Sequence, residues 1–228
     1  MIEPMVEKEI QTAKGKVLLV RNLAAGRLSR LHMEEGLGIF FHYRYEEAKK
    51  TKEVLSAISN EESSGVVGAI RDETLLAYLT IVSSTTGTRW SEINAALVAS
   101  SDALTDPVLL ELGSIEVSTA WRSIGLAHSL FEFAFEDPLL EEKIVFSREL
   151  SWHWDLRSSK LDRYRYRTML MKLFEGAGFR YCETDDEEIR YAGENVFMAR
   201  VGVRVPPETA MLFHRSLCRS EPRGWGWG

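Results

Sequence analysis

Residues 111–136 constrain this chain more than any other stretch. ELGSIEV (111–117) has the alternation of a strand, STAWRSIG (118–125) breaks it, and LAHSLFEFAFE (126–136) carries apolar residues at helical spacing. A strand followed within one short turn by an apolar helix commits the chain to an α/β layer, because the helix must lie back on the sheet to bury its apolar face. The turn holds a lone glycine, Gly125, with Arg122 before it and the small Ala127 after it. The first amides of a helix have no partner within the helix, and the helix dipole places partial positive charge there. Glycine tolerates unusual torsions and close backbone approach. Such a corner fits a pyrophosphate. It fits equally a plain strand-to-helix turn with a solvated arginine, because short glycine motifs are weak signals. The two stronger phosphate-loop patterns, GxxxxGK[ST] and GxGxxG, are not found in the chain.

With 228 residues, a chain buries roughly 70–75% of its unfolded surface and needs no disulfide or metal to staple it. A formal net charge of −6 argues against a nucleic-acid binder, which normally shows a basic face. It suits a basic partner such as a lysine-bearing protein surface. Cys182 and Cys218 are far apart and have no histidine at ligand spacing, so reduced thiols and no metal site are expected. The first sixteen residues are charged and lack the apolar core of a signal peptide, and no apolar run reaches the length of a membrane span. A cytoplasmic protein is the expectation.

Along the chain, KVLLV (16–20) reads as a strand and Asn22 to Met33 as a helix with Leu23, Leu28, Leu31 and His32 facing inward. Residues 46–60 read as a helix. SGVVGAIRD and TLLAYLTIVSS read as a hairpin turning at Asp72–Glu73. Residues 85–109 are mixed and partly helical, and KIVFSREL is a strand. Residues 158–178 hold a helix with Leu161, Tyr164, Met169 and Leu173 near one face, stopped by Gly176 and Gly178. FRYCET and NVFMARVG are strands with a short acidic helix between them, opened by a Thr184–Glu187 capping box. The reading is a single α/β domain with a mixed, mostly antiparallel sheet. An N-terminal extension (1–15) precedes the domain (16–205), and a C-terminal helix and Gly/Trp tail (206–228) follow it.

RSIGLA (122–127) after ELGSIEV resembles the [QR]xxGx[GA] motif of the GNAT acetyltransferase superfamily, and GAGFR (176–180) is similar to that superfamily's late Gly-Phe turn. RWSE (89–92), LELGSIEV (110–117), WHWDL (152–156), TDDEEI (184–189) and NVFMARVG (195–202), which span most of residues 16–205 in family order, together resemble the AcuA family within it. The resemblance implies a twisted sheet flanked by helices. It implies acetyl-CoA as co-substrate, held by the turn residues Arg122, Ser123, Ile124, Gly125, Leu126, Ala127 and His128 and by the backbone of Val117. It implies a protein lysine acetyltransferase whose partner is AMP-forming acetyl-CoA synthetase, which acetylation switches off.

In histone-acetyltransferase members the general-base glutamate stands six residues before that valine, the position of Glu111. Strict alternation would put Glu111 on the Val117 side of the strand and Glu116 on the other. A lysine ammonium, with a reference pKa of about 10.4, must lose a proton before it attacks a thioester, so such a base is needed. A solvated or salt-bridged carboxylate is the alternative for Glu111. The amide of Val117 or Ser118 is placed to hold the developing oxyanion. Many GNAT enzymes carry a tyrosine as general acid where this chain has Phe174; Tyr164, Tyr166 and His153 are the nearby substitutes. Trp90, Trp152 and Asp155 are substrate-contact candidates, with core packing of the tryptophans as the alternative. A small-amine N-acetyltransferase and a regulatory protein that binds the synthetase are the competing functions.

Overall fold

The computed structural model describes residues 5–38, 47–84, 86–100 and 107–218. The Gly/Trp tail lies outside the described residues. The elements run β1 (Val6–Thr12), β2 (Gly15–Arg21), α1 (Ala25–Leu28), β3 (His32–Met33), α2 (Glu47–Asn60), β4 (Gly65–Arg71), β5 (Thr74–Ser83), α3 (Arg89–Ala99), β6 (Leu109–Val117), α4 (Leu126–Phe135), β7 (Ile144–Glu149), α5 (Leu156–Ser159), α6 (Arg163–Gly176), β8 (Arg180–Tyr181), α7 (Glu187–Tyr191), β9 (Val196–Val201) and α8 (Pro207–Ser216). This α/β arrangement of mostly antiparallel strands and flanking helices is the one the GNAT resemblance implies. Contacts group into two compact units, Met1–Ser83 with Leu110–Leu140 and Ser84–Leu109 with Glu141–Gly228.

In the first unit, β1, β2, β4, β5 and β6 pair in that order, all antiparallel, and β3 joins the start of β5 in parallel. Residues 6–12, within the expected N-terminal extension, form β1 and pair along the whole of β2. The β4–β5 turn is at Asp72–Glu73, with φ of 48° and 60°. Positive φ at both central residues is the mirror-image turn that matches strand twist. One sheet face is sealed by α2: Leu55 packs with Val20, Val66, Ile70, Leu75 and Tyr78. The other faces α4, where the Arg21 guanidinium donates to the Phe133 carbonyl at 3.1 Å and pairs with Asp137 at 3.4 Å.

The expected helix over 22–33 is only the single turn α1. Asn22 has φ 56°, and the Leu23 amide bonds to the Val66 carbonyl across the sheet. Leu23, Leu28 and Leu31 are buried as expected, but by the sheet and α2; His32 is exposed and lies in β3. Leucine spacing reported burial here, and tertiary contacts rather than a helix supplied it.

In the second unit, β9 lies between β7 and β8, antiparallel to both. Its core stacks Trp90 of α3 on Phe146 and Phe197 at 4.6 and 4.9 Å. Of the expected FRYCET strand, Arg180–Tyr181 forms β8, and the Cys182 amide adds a bond to the Phe197 carbonyl at 3.0 Å. The inner face of α6 is Leu170 and Phe174, with Tyr166 stacked on Trp154 at 5.2 Å. Tyr164 is 71% exposed and Met169 42%, so the expected face was rotated from the real one. The cap of α7 is Asp186, whose carboxylate accepts from the amides of Glu188 and Ile189, and not Thr184; the Thr184 hydroxyl instead donates to the Leu217 carbonyl.

Gly202 is held by close approach. A Cβ there would sit 2.3 Å from the Glu141 carbonyl oxygen and 2.5 Å from its carbon, both backbone. Gly202→Ala is expected to cost about 1–3 kcal/mol and to lower the melting temperature by several degrees, as read by thermal denaturation.

Candidate active site

The site is built from the C-terminal end of β6, the turn after it and the start of α4, all within the first unit. The Ser118 amide donates to the Leu76 carbonyl at 3.0 Å, making 76/118 a hydrogen-bonded pair. Antiparallel pairs alternate, so Val117, opposite Ala77, directs its N–H and C=O away from β5. Its carbonyl accepts from Arg122 Nε at 2.9 Å. Two expectations change. Ser118 does not offer its amide as an oxyanion donor, because β5 uses it. Arg122 does not simply reach outward as a free charge, because its guanidinium is anchored on the strand end.

The turn itself tightens in two steps. Thr119–Trp121 forms a single 3-10 turn, closed by the Trp121 amide on the Ser118 carbonyl at 2.9 Å. Ser123 (φ 61°) and Gly125 (φ 84°) then both take left-handed conformations. Gly125 is the N-cap of α4, with no side-chain cap and no acid in the first turn. The first intrahelical bond runs from the Ser129 amide to the Gly125 carbonyl, so the amides of Leu126, Ala127 and His128 have no acceptor within the helix. Nothing lies within 4 Å of where a Gly125 Cβ would be. Glycine is therefore required by its torsion, and the space beside it is open. The Leu126 side chain is buried, Ile124 is half-buried, Ser123 is exposed and His128 pairs with Glu132 at 3.2 Å, so it is the backbone of this stretch that faces outward. The Ser118 hydroxyl is fully buried with no hydrogen-bond partner. An uncapped helix start, alternating backbone handedness and an orphan hydroxyl beside Val117 together fit an anionic ligand with a polar arm.

Glu111 is not where strict alternation puts it. The β5–β6 register runs Tyr78–Glu116, Thr80–Ser114, then Ile81–Leu112 and Val82–Glu111, leaving Gly113 as an extra residue. Opposite residues share a face, and so do 78, 80 and 82. The bulge therefore returns Glu111 to the face of Glu116 and Ser114, with Val117 on the other. That face is the one α2 covers. It holds a cavity of about 160 Å³ walled by Val54, Leu55, Ile58 and Val82, with Gly113 and the Thr80 and Ser114 hydroxyls, 2.9 Å apart, also lining it. Glu116 is engaged structurally: its carboxylate accepts the Gly38 amide at 2.5 Å. Burial, and then the Glu116 charge, push the Tyr78 phenol well above its usual pKa.

The other expected residues lie in the second unit. Trp90 is 3% exposed and its indole donates to Asp186 at 3.2 Å, which makes it a core anchor and not a surface for substrate. Trp152 is 48% exposed and packs edge-on against His153 and Tyr191. Burial lowers the His153 pKa, with Glu188 opposing. Asp155 caps α5, accepting from the Ser158 amide at 3.0 Å. Phe174 is fully buried edge-on against Phe179. Missed in the sequence were Lys14 and Arg71: Lys14 Nζ stands 5.6 Å and the Arg71 guanidinium 5.7 Å from the Trp121 ring centre.

Comparison with known proteins decides the family. No protein-family model matches the chain. The acetoin utilization protein AcuA of Bacillus licheniformis is 31% identical over 208 residues, which is 91% of each chain. The chain belongs to the AcuA family. AcuA of Bacillus subtilis is 29% identical over 206 residues, 90% of each. The crystal structure of an acetoin utilization protein from Exiguobacterium sibiricum superimposes with a TM-score of 0.83 at 27% identity, covering 96% of this chain and 97% of that one. The AcuA likeness thus spans both compact units, including the strand, turn and helix of residues 109–135. Among the described residues, no three His, Cys, Asp or Glu side chains group to hold a metal, and no helix is long and apolar enough to cross a membrane.

Proposed function

We propose that this protein transfers the acetyl group of acetyl-CoA to a lysine of AMP-forming acetyl-CoA synthetase and thereby switches that enzyme off. The observation that carries the reading is the uncapped, acid-free start of α4 behind a left-handed Gly125, in a chain of the AcuA family. In this reading the amides of Leu126, Ala127 and His128 bind the coenzyme pyrophosphate, with Arg122 steadying the turn beneath it. The Val117 edge, turned away from β5, pairs with the pantetheine arm, and its N–H holds the thioester oxygen.

Glu111 is the proposed general base. The lysine stem lies in the apolar cavity on its face, and Glu111 takes the ammonium proton directly or through a water. The free amine attacks the carbonyl carbon, and the Val117 amide stabilises the resulting oxyanion. The nitrogen of the tetrahedral intermediate gives its second proton to water, the C–S bond breaks and coenzyme A departs as its thiolate, a leaving group good enough to need no protein acid. This accords with a buried phenylalanine at position 174. His153, whose pKa is lowered by partial burial, is the alternative proton carrier. Trp152 and Asp155 are the remaining substrate-contact candidates; Trp152 is exposed enough to meet a protein surface.

A second reading, acetylation of a small free amine, is favoured by the modest size of the cavity. Intact-protein mass separates the two. Purified acetyl-CoA synthetase incubated with the enzyme and acetyl-CoA is expected to gain a single acetyl group and lose activity. Acetylation of free amines with an unmodified synthetase would overturn the protein-substrate reading.

A further inference from the structure

Three turns of the first unit meet on one indole. The β1–β2 turn is locked by Thr12, whose hydroxyl accepts the Lys14 amide at 3.1 Å and donates to the Gly15 carbonyl at 2.7 Å. Lys14 reaches from it over the Trp121 ring and donates to the Ala120 carbonyl at 2.5 Å. Arg71, at the β4–β5 turn, stands over the same ring, donates to the Lys14 carbonyl at 2.6 Å and pairs with Asp72 at 3.2 Å. Trp121 itself is only 8% exposed. The segment 118–121 is thus held at both ends, by the Ser118 amide on β5 and by Trp121 under two cations. Arg122 to Gly125 follow immediately, so the aim of the α4 amides depends on where Trp121 is fixed.

We propose that Lys14 and Arg71 are positioning residues that clamp Trp121 and so set the coenzyme affinity of the α4 turn, without touching the coenzyme. The proposal rests on the reading of that turn as the coenzyme A site. It gives the N-terminal hairpin a purpose: β1 carries Lys14 to the turn. The clamp acts on binding and not on the chemical step, because the acyl-bearing end of the site is fixed separately by the β5–β6 ladder.

Calorimetric titration with coenzyme A tests this on the full chain. Lys14→Met keeps the aliphatic stem and removes the cation. It is expected to weaken binding about two- to fivefold, the range an exposed cation–π contact supports. Lys14→Arg restores affinity to within about twofold. Lys14→Met raises the KM for acetyl-CoA while kcat at saturation stays the same. In a double-mutant cycle, Lys14→Met costs nothing further once Trp121 is leucine, since the two act as one unit. A direct contact between Lys14 and a coenzyme phosphate predicts instead that the two losses multiply, and that result overturns the clamp. Unchanged affinity in Lys14→Met also overturns it, and because this variant leaves the ring in place the test does not depend on Trp121→Leu folding. A wild-type protein that binds no coenzyme A sinks the site reading and the clamp with it; a wild type that binds, with Lys14→Met indistinguishable from it, sinks the clamp alone.

Discussion

Gly125→Val is expected to abolish measurable coenzyme A binding while leaving the protein folded. The residue sits at φ 84° and ψ 1° as the N-cap of α4. A β-branched side chain there costs about 1–3 kcal/mol in backbone strain, and the chain relieves it by turning the cap toward negative φ. That rotation swings the Leu126, Ala127 and His128 amides off a shared target. The added side chain also fills the open space beside the turn, where nothing now lies within 4 Å. Strain and blockage together predict at least a hundredfold rise in Kd, roughly 2.7 kcal/mol at 1.36 kcal/mol per decade. Titration calorimetry reads the affinity and thermal denaturation reads the fold. A variant that binds within threefold of wild type would show that the α4 turn is not the coenzyme site.

Glu111→Gln should show the opposite pattern: normal coenzyme affinity with acetyl transfer reduced roughly 10²- to 10⁴-fold, the usual contribution of a general base. The amide keeps the shape of the side chain and removes the proton acceptor, so strand β6 and its bulge at Gly113 are undisturbed. The loss falls on kcat. It is partly recovered at high pH, where a growing fraction of lysine acceptors is already deprotonated. Measuring acetyl gain on the synthetase by intact mass, from pH 7 to pH 10, checks both points. Full activity in Glu111→Gln with normal acetyl-CoA binding removes Glu111 from the mechanism and moves attention to His153.

The features legible in the sequence were those whose cause is local. The Asp72–Glu73 turn follows from its flanking strands, and the start of α4 from a glycine between a strand and an apolar helix. Burial of Leu23, Leu28 and Leu31 was also legible, but their element was not: leucines at helical spacing serve a loop as well as a helix once a sheet and α2 wait to cover them. The two tryptophan motifs make the same point. Trp90 and Trp152 look alike in sequence, yet one packs against the Phe146–Phe197 pair and the other stands half exposed. Burial is a property of neighbours brought from elsewhere in the chain.

By itself, then, the sequence determined an α/β fold with a strand–turn–helix corner that carries a glycine where the helix begins, because propensity and turn chemistry act over a few residues. The tertiary structure decided which groups stand around that corner and on which side of the strand. Only the pairing of β5 with β6 reveals the extra residue at Gly113 that sends Glu111 to the α2 face. Only packing brings Lys14 and Arg71, 57 positions apart, onto Trp121. Register and long-range contact have no local signature, since each is set by which distant strand lies opposite and by what its side chains leave room for.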